Sequence, residues 1–118
     1  MAEKGRDYWK RSLIMSLALV VATGPSVIAA QSAADLYAEK CAACHGDNGK
    51  GDGPAGQAMT PPPLPFSSAL KNKGDSWIGT VITKGGQAVG MTPAMPPHPT
   101  LSGDQVKALI QYIKGLKS

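Results

Sequence analysis

Arginine is missing from residue 31 onward: the chain's two arginines, Arg6 and Arg11, both precede its longest apolar run. Arg is the side chain suited to two-pronged contacts with phosphates and guanine edges, so the sequence points to no nucleic-acid partner. The formal charge of +4 over 118 residues does not reverse this, because four of the cations and two of the acids lie in the first thirty residues. Residues 31–118 keep eight lysines against six carboxylates, a net charge of only +2. Lys71, Lys73 and Lys84 form a loose group that either steers an acidic partner or is simply a solvated face. Aromatic residues are scarce as well: beyond residue 30 there are only Phe66, Trp77, Tyr37 and Tyr112. A domain of 88 residues with so few large apolar side chains has too thin a core to fold unaided. No internal repeat is visible. A membrane helix wants about 20 apolar residues, and the run at 13–22 is ten long. Lys4, Arg6, Lys10 and Arg11 precede that run, Gly24-Pro25 breaks it, and small residues follow to Ala30. This is the layout of a secretory signal peptide, with cleavage after Ala29 or Ala30. Were Gly24-Pro25 accommodated as a kink, 13–30 would instead serve as an uncleaved membrane anchor. Both versions predict an exported domain at 31–118 behind a leader at 1–30.

Cysteine occurs only twice, at Cys41 and Cys44, inside Cys-Ala-Ala-Cys-His. On a helix the two thiols share a face, spaced to meet the two vinyl groups of one haem, and His45 follows as a nitrogen ligand for its iron. C-x-x-C-H is the attachment signal of c-type haem. A thioredoxin-like pair needs a βαβ setting, whereas helix and Pro/Gly-rich loop surround this motif. A zinc site would recruit four side chains, yet the only other His is the distant His98. A disulfide would close too short a loop to add much stability.

Helical spacing occurs in three places. Ala33, Leu36, Tyr37, Cys41 and Cys44 form one stripe, predicting a helix from Ser32 to about Cys44 with Ser32 as N-cap and Asp35 in a weak capping box. Near the end of the chain, Ser102 and Gln105 make a capping box ahead of Val106, Leu109, Ile110, Ile113 and Leu116, and Lys114 and Lys117 suit the negative end of that helix. Residues 74–85 allow a short helix between Asp75 and Gly85, with Trp77, Val81 and Ile82 inward. Between these lie Gly46, Gly49, Gly51, Gly53 and five prolines from Pro54 to Pro65, which break helix and strand and predict a long loop. Asp47 and Asp52 sit in that loop, but their spacing departs from an EF-hand and no bidentate Glu follows.

On the haem motif, the Gly-Asp-Asn-Gly-Lys-Gly-Asp-Gly-Pro-Ala run from Gly46 and the Met95-Pro96 step ahead of the last helix, the chain resembles the class I c-type cytochromes. The resemblance spans about residues 33–116 and implies an all-α cytochrome c-like fold: about three short helices and long loops wrapped round one covalently attached haem c. It implies that Tyr37 meets the last helix near Leu109 and Tyr112, and that a proline carbonyl, from Pro54 or from Pro61–Pro63, accepts the Nδ1 proton of His45. It implies covalent attachment through Cys41 and Cys44 and axial ligation of the iron by His45 and Met95, with Met91 the runner-up and His98 the remaining candidate. Met95 as sixth ligand would raise the reduction potential and leave no open position for a substrate. The predicted function is therefore a non-enzymatic, monomeric, periplasmic carrier shuttling one electron between larger redox proteins. The alternatives are the electron-accepting subunit of a periplasmic dehydrogenase complex and, with a vacant sixth position, a haem peroxidase or gas sensor. Burying roughly 500 Å² of apolar haem surface would contribute on the order of 10 kcal/mol as an upper figure, so the apo-protein is predicted to be largely unfolded.

Overall fold

The structure, a computed structural model, describes residues 30–118 together with positions 20, 21 and 24. Apart from those few positions, the leader expected at 1–30 lies outside the described residues. Among the described residues there is no strand, and no helix is long and apolar enough to cross a membrane. Three helices carry the framework: α1 (Ala33–Lys40), α5 (Asp75–Lys84) and α6 (Gly103–Gly115). Three single turns, α2 (Ala42–His45), α3 (Pro54–Gln57) and α4 (Phe66–Ala69), and a 3-10 turn (Gly86–Val89) complete them. The all-α, cytochrome c-like expectation holds, with short turns where an unbroken loop was expected.

Local chemistry explains where the framework helices start. The Ser102 hydroxyl accepts from Gln105 N at 3.2 Å while the Gln105 side chain accepts from Ser102 N at 2.8 Å, so α6 begins on the capping box that its sequence announced; such a cap is worth about 1 kcal/mol. At α1 the Ser32 hydroxyl accepts from Asp35 N at 3.1 Å and donates to the Asp35 carboxylate at 2.6 Å. That carboxylate holds the cap rather than closing a reciprocal box. The helix expected from Ser32 to Cys44 is interrupted at Cys41, whose φ of −122° departs from helical values. The ladder bends there instead of ending: Cys41 N still donates to Tyr37 O, and His45 N to Cys41 O, both at 2.9 Å.

The core forms where α1 and α5 each meet α6. Leu36 and Tyr37 from α1, Ile78 and Ile82 from α5, and Val106, Leu109, Ile110 and Ile113 from α6 are buried together with Cys41. Tyr37 packs against Tyr112 at 5.2 Å between ring centroids, the crossing that the resemblance implied. Its hydroxyl donates to the Gly46 carbonyl at 2.6 Å, tying the first helix to the turn that ends α2, and burial pushes its pKa upward. Tyr37→Phe would leave that carbonyl buried without its donor, at an expected loss of about 1–3 kcal/mol. Urea denaturation of the haem-loaded protein checks this: the midpoint should fall with the slope unchanged. At the far end of α6, Lys114 pairs with Asp75 in the first turn of α5 at 2.8 Å, and with both side chains about half exposed the pair is worth about 0–1 kcal/mol.

The single turns owe their form to tertiary ties, because four residues cannot support a helix alone. Pro54 opens α3, where its missing N–H loses nothing and its fixed φ suits the first position. Pro65 precedes α4, whose second residue, Ser67, donates its N–H to the hydroxyl of Ser118 at 2.8 Å. A side chain 51 positions away thus takes the role usually filled by a local cap. Phe66 N donates to Gly49 O at 2.8 Å, folding the proline run back over the glycine run.

Candidate functional site

A cavity of about 370 Å³ opens between α1–α2, the proline run, α5 and the loop before α6. Cys41 and Cys44 lie on its wall beside His45, while Met91, Met95 and His98 reach it from the loop at 91–98. Most of the remaining wall is apolar, with Trp77, Ile78, Val81 and Ile82 from α5, Phe66 and Leu70 from around α4, and Ile113 from α6. Of the α5 residues expected to face inward, Ile82 is buried, while Trp77 and Val81 are half-buried on the cavity wall; Ile78 fills the core position instead.

Cys41 and Cys44 form no disulfide. Burial pushes the Cys41 thiol up to about 11, against an opposing pull from the Lys40 ammonium. A thiol raised by apolar surroundings is a poor redox nucleophile, and among the described residues there is no strand to build a thioredoxin-like unit. His45 packs on Phe66, with centroids 4.8 Å apart and planes tilted by 32°. Desolvation lowers its pKa, so the ring is held neutral, the form in which imidazole ligates a metal. Its Nδ1 is buried with no hydrogen-bond partner.

That unpaired nitrogen corrects one expectation. The proline carbonyl implied as acceptor for Nδ1 does not reach it. Gly53, just before Pro54, is packed against the backbone carbonyls of Ala42 and Ala43, so that a Cβ there would strike them. The Pro63 carbonyl lies against Gly51 instead. Buried polar atoms are almost always paired, and His45 Nδ1 is the one buried side-chain nitrogen or oxygen among the described residues that is not.

The opposite wall is fixed by the end of α5. The helix stops at Lys84, and Gly85 turns out of it at φ +82°, where a glycine adopts the left-handed conformation without strain. The Ile82 carbonyl, which the ended helix can no longer satisfy, accepts from His98 N at 2.9 Å. Gly86 then binds the loop on both sides: its N–H donates to Met95 O at 3.0 Å and its carbonyl accepts from Met91 N at 2.9 Å. A Cβ on Gly86 would approach Thr92 O to 2.8 Å and the Met91 and Met95 side chains to 3.2 and 3.3 Å, so only glycine allows this approach. Met95 and His98 are half-buried, and Met91 is 47 % exposed.

The arrangement fits a covalently held haem on several counts: two thiols and a neutral imidazole on the wall, thioether sulfurs from the loop at 91–98, and apolar walls elsewhere. It does not fit a metal ion held by side chains alone, since no group of three or more His, Cys, Asp or Glu residues comes together among the described residues. Lys40 was missed by the sequence reading although it stands four residues before Cys44, on the same helical face, and it too lies on the cavity wall. Phe66, which packs on the candidate ligand, carried no signal in the sequence, because its position depends on the fold-back of the proline run.

Comparison with known proteins agrees with this geometry. The family model for cytochrome c matches residues 30–117. Over 88 residues, 75 % of this chain, the sequence is 32 % identical to the cbb3-type cytochrome c oxidase subunit CcoP of Azospirillum brasilense, of which the chain spans 28 %. No solved structure matches the chain. A helical fold, a C-x-x-C-H motif on the wall of an apolar cavity and a family match over almost all of the described domain together make this chain a member of the cytochrome c family.

Proposed function

We propose that the chain is an exported, single-haem electron carrier in which Cys41 and Cys44 hold the haem covalently and His45 and Met95 are its axial ligands. The observation that supports this best is the meeting, in one cavity, of both thiols, the half-buried imidazole of His45 and Met95. Members of the family carry covalently attached haem c, which supplies an iron that gains or loses one electron. The protein's part is to hold that iron with little rearrangement and keep solvent and substrates from it. The bent ladder through Cys41 fixes both thiols and His45 relative to one another. Phe66 packs on the His45 ring, Ile78 and Ile82 add apolar wall to the same cavity, and desolvation keeps the imidazole neutral. Across the cavity, the Gly86 and His98 backbone bonds pin Met95, and Pro93, Pro96 and Pro97 restrict the loop's freedom, which helps keep a weak iron–sulfur bond made.

Met95 is favoured over its neighbours because it is half-buried with its carbonyl tied to Gly86, whereas Met91 stands 47 % exposed. The test is an absorption spectrum of ferric and ferrous protein, with the pyridine-treated form to establish covalent attachment. Met95→Ala is expected to abolish the weak sulfur-to-iron charge-transfer band, and Met91→Ala to retain it. A band that survives Met95→Ala overturns the assignment. Rapid carbon monoxide binding by the reduced protein at neutral pH would favour the sensor or peroxidase reading instead. Export behind a leader cleaved near residue 30 is part of this proposal, and mass spectrometry of the mature protein tests it.

A second reading has an observation of its own. The relative is by name an oxidase subunit, which favours a domain that passes electrons within a larger redox complex rather than diffusing between partners. Affinity purification from native membranes and periplasm separates the two: a stable second chain supports the complex, and its absence from both fractions supports the free carrier.

A further inference from the structure

Among the described residues, Lys40 is the only charged side chain on the cavity wall. It is the last residue of α1, directly before Cys41, its side chain is only 28 % exposed, and its ammonium pairs with Glu39 Oε1 at 3.2 Å. The second Glu39 oxygen accepts from Gln31 Nε2 at 2.6 Å, so a small network holds the pair at the edge of the site. The other seven lysines of the domain lie off the wall, and the carboxylate in line to offset one of them, Asp75, is taken by Lys114. From this position Lys40 lines the same cavity as Cys41, His45 and Met95.

We propose that Lys40 sets the reduction potential of the centre upward, as a positioning charge, with Glu39 partly offsetting it. This rests on the electron-carrier reading above. In the exchange one electron leaves a donor and arrives at the iron, no proton moves and no bond forms or breaks, so the centre becomes more negative by one charge. A fixed cation on the wall favours the more negative, reduced state. Half-buried charges are screened less than exposed ones, so Lys40 acts where a surface lysine does not.

Equilibrium redox titration of the haem-loaded protein tests this. Lys40→Met keeps the aliphatic stem that packs on the wall and is expected to weaken reduction roughly three- to tenfold, or about 30–60 mV at 59 mV per tenfold for one electron. Lys40→Arg should hold the potential near its starting value, Glu39→Gln should raise it, and Lys107→Met, which removes an exposed charge from α6, should leave it almost unmoved. An unchanged potential in Lys40→Met, a shift equal to that of Lys107→Met, or a fall in Glu39→Gln would overturn the inference. The visible spectrum of each variant separates this from failure of the underlying reading. An unsubstituted protein with no covalent haem or no sulfur-to-iron band sinks that reading, and this one with it. Normal spectra with an unmoved Lys40→Met potential sink this one alone.

Discussion

Replacing both thiols, as Cys41→Ala with Cys44→Ala, is expected to leave the haem-free chain without a cooperative fold. Among the described residues the buried core consists of nine, three of which, Leu36, Tyr37 and Leu109, are fully enclosed. Beside them lies a cavity of about 370 Å³ whose walls include Ile78, Ile82 and Ile113 from that same core. Unfilled volume in a core costs about 24 cal/mol per Å³, so leaving this one empty would cost up to about 9 kcal/mol; the figure is an upper one because the cavity opens to solvent. A domain of this size has only about 5–15 kcal/mol of stability to lose. The same conclusion follows from the sequence, where haem burial contributes on the order of 10 kcal/mol. Near-ultraviolet circular dichroism and thermal melting of the purified double variant decide the matter. Flat near-ultraviolet signal and a broad, non-cooperative melt are expected, while a sharp transition with native-like ellipticity would contradict the claim that the cofactor completes the core.

Gly51→Ala is expected to destabilise the haem-loaded protein by about 2–5 kcal/mol, the sum of two separate costs. The first is conformational. Gly51 sits at φ +76°, and an L-residue forced into the left-handed region loses about 1–2 kcal/mol. The second is steric: a Cβ at Gly51 would strike the Pro63 carbonyl, a backbone atom that cannot swing aside, and overpacking of this kind typically costs about 1–3 kcal/mol. Relief by moving the loop is obstructed. Gly51 N donates to His45 O, its carbonyl accepts from Gln57 Nε2, both at 2.8 Å, and shifting it would disturb the residue proposed to bind iron. Chemical denaturation measures the loss. Gly103→Ala serves as the comparison, since a Cβ there meets nothing and the effect should stay within about 0.5 kcal/mol.

Some of the site was legible in the sequence because it depends on neighbours. The spacing of Cys41, Cys44 and His45, the capping box of Ser102 and Gln105, and the apolar stripe from Val106 to Ile113 are set within one or two helical turns. The capping box and the stripe appear in the structure as the periodicity foretold, and the two cysteines and His45 line one cavity. The bend at Cys41 was not visible, because the stripe of Ala33, Leu36, Tyr37, Cys41 and Cys44 satisfies the helical period whether or not the backbone kinks. The turns at α3 and α4 were hidden for a related reason: their prolines read as breakers, and only the ties of Gln57 to Gly51 at α3 and of Phe66 to Gly49 and Ser67 to Ser118 at α4 make a turn after each one favourable.

By itself the sequence determined what could be attached and where: two thiols and an imidazole within five residues, too few aromatics for an independent core, and Met91, Met95 and His98 within eight residues of one another. Only the tertiary structure decided how those groups are held. It set Gly86 between Met91 and Met95, joined His98 to the open end of α5, left His45 Nδ1 without the proline carbonyl and brought Lys40 onto the wall. The physical reason is range. Periodicity and capping act over three or four residues and can be read along the chain, whereas burial, carbonyl partners and cavity walls are fixed by groups tens of residues apart, whose meeting depends on how the whole domain packs.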